Sequence, residues 1–241
     1  MNNSINKQFN FTASPQSIPM VKTFLSGVFM WMFLALGITA ATAWLFATTP
    51  SLMGMLITET GSMSIMGWIV MLAPLGLVLW LSAGINRMSA STMVLVFIVF
   101  SMLMGASLSF IFLAYTGASI AKTFVITSGM FGTMALVGYT TKTDLTKFGS
   151  LMFMGLIGII IASVVNMLMH SSRMDYVISF IGVLVFTGLT AYDVQKLKRI
   201  GSQITEESES VRKMTIMGAL TLYLDFINLF LFLLRFFGNR K

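Results

Sequence analysis

Two aspartates stand where carboxylates are least expected. Asp225 lies in LYLDFINLFLFLLRFF (residues 222–237), an otherwise apolar run, and Asp193 closes FTGLTAYD just ahead of Lys196, Lys198 and Arg199. An ionised carboxylate at the centre of a bilayer costs about 2.5–3.5 kcal/mol on insertion scales, so a carboxyl kept there points to a proton or ion site. The remaining acidic residues, Glu59, Asp144, Asp175, Glu206, Glu207 and Glu209, fall in loops or at span ends, where solvation accounts for them. Around a helix at about 100° per residue, Gly218, Thr221, Asp225 and Asn228 form one narrow polar stripe. Such a stripe must face the bundle interior or water. The plainer alternative is a packing stripe around a protonated, hydrogen-bonded Asp225.

Should the two carboxyls meet, they would share a proton and titrate as a unit. Both approach the same membrane face from consecutive antiparallel helices, but at different depths. Asp193 lies some 4–5 Å inside Lys196, whereas Asp225 is roughly 18 Å from Lys213 along a helix. Contact therefore requires the first turns of the last helix to project from the bilayer, or water to enter from the cytosol. Arg87, in SAGINRMSA at the end of the second span, is a candidate latch. An arginine that binds the ionised pair and releases the protonated one would couple pH to helix position; otherwise Arg87 is an interfacial anchor. Calcium takes about six to eight oxygen ligands. Asp193 and Asp225 with Thr221, Asn228 and backbone carbonyls therefore offer a weak transit site for it, not a store.

The elements that must position these residues are membrane spans. Only 10% of the 241 residues are charged and 56% are hydrophobic, against roughly 25% charged in soluble domains. Runs long enough to cross the hydrocarbon occur at 26–47, 65–83, 92–114, 118–138, 149–169, 174–194 and 214–237. They predict an all-α membrane protein, a seven-transmembrane-helix bundle forming one domain over 26–238. A polar cytoplasmic segment (1–25) precedes it, a basic cytoplasmic loop (195–213) joins the last two spans, and a short tail (239–241) follows. With the N-terminus in the cytoplasm, Lys7, Lys22, Arg87, Lys142, Lys147, Lys196, Lys198, Arg199, Arg212 and Lys213 fall inside, and Lys122, Arg173, Arg235, Arg240 and Lys241 outside. That bias favours this orientation. A re-entrant last segment would sharpen it further, but residues 214–237 rise about 36 Å as a helix, enough to cross.

Several functions are disfavoured. With no cysteine there is no disulfide, thiolate metal site or cysteine nucleophile. No phosphate-binding loop, HExxH or GxSxG occurs, so no enzyme and no cofactor are expected. The net charge of +7 reads as cytoplasmic loop charge rather than a nucleic-acid surface. Twenty-two scattered methionines read as flexible packing, not copper ligands. Pro74 should kink the second span. Gly105 with Ser109, and Gly129 with Gly132, have spacings that let helices approach closely. His170 reads as interfacial packing.

FTGLTAYDVQKLKRI (186–200) and ALTLYLDFINLFLFLLRFFG (219–238) resemble the signature of the Bax inhibitor-1 family. The resemblance covers almost the whole chain. It implies a bundle with the last helix central and six helices around it, and a pH-sensitive calcium leak governed by an aspartate dyad. Matched motif by motif, the dyad is Asp193 and Asp225, and the arginine that latches it corresponds to Arg87. The second span holds no acidic residue, so any carboxylate that relatives use there is missing. A reading of another class is a membrane-embedded regulator that binds other membrane proteins, such as a membrane protease, with no flux of its own. The expected partners are thus the lipid bilayer, calcium and protons, and in the second reading a membrane protein. Minimal loops suit a bacterial inner membrane.

Overall fold

The computed structural model describes residues 17–58, 60–239 and 241, so Lys7, Glu59, Arg240 and most of the polar segment 1–25 lie outside the described residues. Among the described residues nine helices form: α1 (Ser17–Thr48), α2 (Pro50–Leu56), α3 (Ile65–Gly84), α4 (Ala90–Leu108), α5 (Ile111–Ala114), α6 (Gly117–Thr140), α7 (Thr146–Met169), α8 (Ser172–Ser202) and α9 (Glu209–Phe237). Seven are long and apolar enough to cross a membrane, with α4 and α5 together making the third span. Hydroxyl side chains start five of them. Ser64, Ser89, Thr116, Ser171 and Ser208 each accept from a backbone amide of the first turn, supplying a partner to a donor that the helix itself leaves unpaired. Helix α3 continues through Pro74.

Two boundaries differ from the sequence reading. Helix α1 begins at Ser17, so residues 17–25 belong to the first helix rather than to a polar lead-in. The basic stretch 195–213 is mostly helix as well: α8 runs on to Ser202 and α9 starts at Glu209. Charge density suggested a loop, but the residues concerned are good helix formers at the ends of two buried helices.

Burial is greatest in the last two spans, 67% for α9 and 61% for α8 along their most apolar stretches, whereas α7 is only 11% buried. Helix α9 packs on α1, α4, α6 and α8; α7 packs chiefly on α8. A groove is therefore left between α7 and α9, with α8 as its floor. The opposite face of α9 is pinned by Tyr223, fully buried, whose hydroxyl meets Thr39 Oγ1 at 2.8 Å. Thr39 Oγ1 donates its own proton to the Ser101 carbonyl, so Tyr223 is the donor in the first bond. Phe97 and Phe100 meet the Tyr223 ring edge-on. This ties α1, α4 and α9 together behind the groove.

The last helix traverses the whole bundle. At its start Glu209 accepts from the Ala90 amide at the head of α4. Beyond its end, Asn239 bonds Thr116 and Ser119 at the head of α6, and Lys241 bonds the carbonyls of Phe112 and Ala114. A re-entrant last segment is excluded by these contacts at opposite ends.

Candidate functional site: a carboxyl pair in the α7–α8–α9 groove

Helices α8 and α9 run antiparallel, with Leu197 over Gly218 at one level and the Phe186 ring stacked on Phe232 at another, 5.7 Å between centroids. Between these levels the carboxyls of Asp193 and Asp225 come within hydrogen-bonding contact. Their exposures are 9% and 5%. Oδ2 of Asp225 is fully buried and, apart from the facing Asp193 carboxyl, meets no donor among the described residues. The depth difference is resolved by stagger. Asp193 lies roughly 13 Å inside the end of α8 and Asp225 roughly 24 Å inside the start of α9, at 1.5 Å per residue. The first turns of α9 thus run past the end of α8, which the pairing requires.

The pair lines a half-open chamber of about 580 Å³ between α7, α8 and α9, together with Thr221, Asn228, Tyr192 and Lys196. Thr221 Oγ1 donates to the Met217 carbonyl and Asn228 Nδ2 to the Leu224 carbonyl. Both residues spend donors on their own helix, which leaves oxygen lone pairs available to the chamber. Gly218, read as part of the same stripe, is buried beneath Leu197 and Val28 instead. Arg87 is not brought to the pair: it is exposed in the turn between α3 and α4 and does not line the chamber. The cation at the chamber is Lys196, one turn after Asp193. Its i, i+3 spacing was legible, but it was read as the depth of Asp193 below the helix end and not as a neighbouring cation. Gly149 lets the Tyr192 ring lie against α7; nothing in the sequence pairs those two residues.

Residues 21–241 match the family described as "Inhibitor of apoptosis-promoting Bax1". The chain belongs to the Bax inhibitor-1 family. Among its relatives is a protein of Escherichia coli K12 named "Inner membrane protein YbhL", 50% identical, with 92% of this chain and 93% of the relative covered. Uncharacterized proteins of Rickettsia prowazekii (46% identical; 92% and 91% covered) and Borreliella burgdorferi (45%; 96% and 98%) are similar over the same extent.

In this Bax inhibitor-1 family member the foot of α7 is fastened to α8 by a polar cluster at the basic end. Gln195 Oε1 accepts from the Leu145 amide, and Gln195 Nε2 donates to the Thr143 carbonyl. Arg199 bonds Gln195 Oε1, Thr146 Oγ1 and Asp144. The Thr146 hydroxyl, followed by the Arg199 guanidinium, holds the Asp144 carboxyl well below its ordinary value. A depressed carboxyl pKa stabilises the fold above the unfolded value, roughly 3.9, and that contribution is lost only as pH falls further. This tie is therefore constant between pH 6 and 8. It supplies no pH response there, but it fixes the wall against which one would act. Gln195→Ala is expected to cost about 1–3 kcal/mol by leaving Leu145 N–H and Thr143 C=O unpaired, read as a lower melting temperature in detergent. An unchanged melting temperature would show that water satisfies both groups.

Proposed function

We propose that the chain is a pH-sensitive leak for cations, calcium foremost, in a bacterial inner membrane, gated by Asp193 and Asp225 and not by enzymatic chemistry. One observation carries the reading: two buried carboxyls in contact, lining one chamber, with no donor on Asp225 Oδ2 among the described residues other than the facing carboxyl. With one proton between them the pair carries a single charge, and gain or loss of that proton changes its attraction for a cation.

The charged and titratable groups facing the pair support this simplicity. From α8 they are Lys196 and Tyr192; the α7 wall offers only Thr146, Gly149, Ser150, Phe153 and Leu156, with no charge. Lys198 and Arg199 are turned to Tyr139 and Asp144. As cargo, calcium would find the two carboxylates, Thr221 and Asn228, short of the about six to eight oxygens of a tight site. A passing ion would keep part of its water. No cluster of three metal-ligating side chains occurs among the described residues. By the charge bias of the loops, the basic end faces the cytoplasm.

Calcium influx into liposomes bearing the purified protein tests the proposal at pH 6, 7 and 8. Wild type should show a flux that varies with pH, and Asp193→Asn a flux that does not. If folded wild type gives no flux above empty liposomes at any pH, the leak reading fails. The chain would then be better sought as a regulator, by co-purifying its membrane partners.

A further inference from the structure

The α7–α8–α9 groove holds a second chamber, nearer the opposite end of the bundle, of about 500 Å³. Its polar walls are Ser163, Asn166 and His170 at the end of α7, Asp175 at the start of α8, and Asn228 and Arg235 on α9. Asn166, 9% exposed, accepts from the Ser171 amide and donates to Asp175 Oδ1. The same oxygen takes Arg235 Nη1 at 3.4 Å, and the guanidinium lies over the Phe232 ring. Closure of the α7–α8 turn explains Asn166. It does not explain why Asn228, seven residues before Arg235, lines both chambers.

What separates the chambers is thin. Phe186 lines the first and Phe232 the second, and their rings stack on each other. Gly182 permits this, because a Cβ there would strike the Phe232 ring. Beside the stack stands Asn228, whose Oδ1 has no protein donor among the described residues while its Nδ2 is held by Leu224. A buried carboxyl oxygen with no donor among the described residues but the facing Asp193 carboxyl, Asp225 Oδ2, waits on the basic side of this layer.

We propose that the two chambers are halves of one transmembrane cation route, closed in this conformation by the Phe186–Phe232 stack, with Asn228 as the oxygen contact at the constriction and the Asp175–Arg235 pair as the far mouth. The second chamber is large enough to hold water beside an ion, so an ion there can keep part of its hydration. Two rings in van der Waals contact admit no hydrated ion; opening requires Phe232 to turn away from Phe186. At the mouth, a divalent cation competes with Arg235 for Asp175. The inference rests on the leak reading for what passes, but not for where it passes.

The chain has no cysteine, so one introduced thiol is the only one present. Ser163→Cys, Thr221→Cys, Asn228→Cys and the lipid-facing control Val164→Cys, 54% exposed on α7, would be treated in vesicles of known orientation. The probe is a membrane-impermeant cationic methanethiosulfonate, added to one side at a time. Expected labelling is Ser163→Cys from the far side, Thr221→Cys from the basic side, Asn228→Cys from either side, and none for Val164→Cys. Modified Asn228→Cys should have lost its calcium flux, and Phe232→Leu should raise flux several-fold. Reaction at 163 or 221 with none at 228 from the same side would show that the chamber does not reach the constriction, and would overturn the route. Flux surviving full modification at 228, or unchanged by Phe232→Leu, would place the path elsewhere. Labelling needs no flux, so a wild type without flux would sink the leak reading while the thiols still decide whether an aqueous route exists.

Discussion

Asp225→Asn is expected to give a protein whose calcium influx no longer responds to pH and whose melting temperature equals or exceeds that of wild type. The two halves of this expectation come from the same fact. Asp225 is 5% exposed, and its Oδ2 has no donor among the described residues other than the Asp193 carboxyl. A carboxylate so placed costs about 2.5–3.5 kcal/mol to keep in a membrane helix when ionised. Replacing it by an amide removes both the burial cost of the charged form and its repulsion by the facing carboxyl, so stability should be kept or raised. An amide keeps the shape and can donate to Asp193, yet it cannot lose a proton. Asp225→Leu extends the test by deleting the polar contact, with flux expected to fall toward background. Loss of function with stability retained is the pattern of a residue kept for activity at the expense of stability. If Asp225→Asn instead melted lower, by the about 1–3 kcal/mol of a lost buried hydrogen bond, the pair would be a structural clasp. The gating proposal would then fall.

The second large effect concerns Gly138. On α6 it lies directly against the backbone of Ala191 on α8, two residues from Asp193, and a Cβ there would overlap the Ala191 carbonyl. Main chain cannot step aside as a flexible side chain can. Gly138→Ala is expected to cost about 1–3 kcal/mol or more by overpacking. At about 2–4 °C per kcal/mol for a chain of this size, the melting temperature drops by several degrees at least. Gly132→Ala, one and a half turns earlier on the same helix, meets nothing within 4 Å and should be neutral or slightly stabilising. Equal melting temperatures for the two variants would disprove the close approach of α6 and α8.

The glycines show how far a sequence can be read here. Spacing suggested close packing both at Gly105 and at Gly129 with Gly132. Gly105 does lie against Thr39 and Thr42 of α1, whereas Gly129 and Gly132 face open space. A small residue is necessary for close approach but does not say which side of the helix has a neighbour. The spans were legible because bilayer thickness sets a length that apolar runs must meet. The stripe on α9 was legible because helical periodicity is local, and the structure places Thr221, Asp225 and Asn228 along one chamber with Asp193. What faces the stripe was not. Lys196 in place of Arg87, the Tyr192 ring over Gly149, and the polar cluster around Gln195 depend on how helices distant in sequence are staggered and rotated. Hydropathy carries no record of either. Asp175 was read as a solvated span end and Arg235 as an outer-side charge, since each looks ordinary until the other is brought opposite it.

Thr221, Asp225, Asn228, Phe232 and Arg235 follow one another at intervals of four, three, four and three. That alternation averages close to the helical repeat, so all five lie along one edge of α9 with little drift. A single helix therefore carries one wall of both chambers, the Phe232 ring between them and Arg235 at the far end. Its rotation is a shared coordinate: a turn of about 100°, the angle between adjacent residues, would swing the carboxyl, the amide, the ring and the guanidinium out of the groove together. The near and far halves of the groove cannot be remodelled independently by α9. A rotation of α9 would carry both halves together, against the brace of Tyr223 at its back.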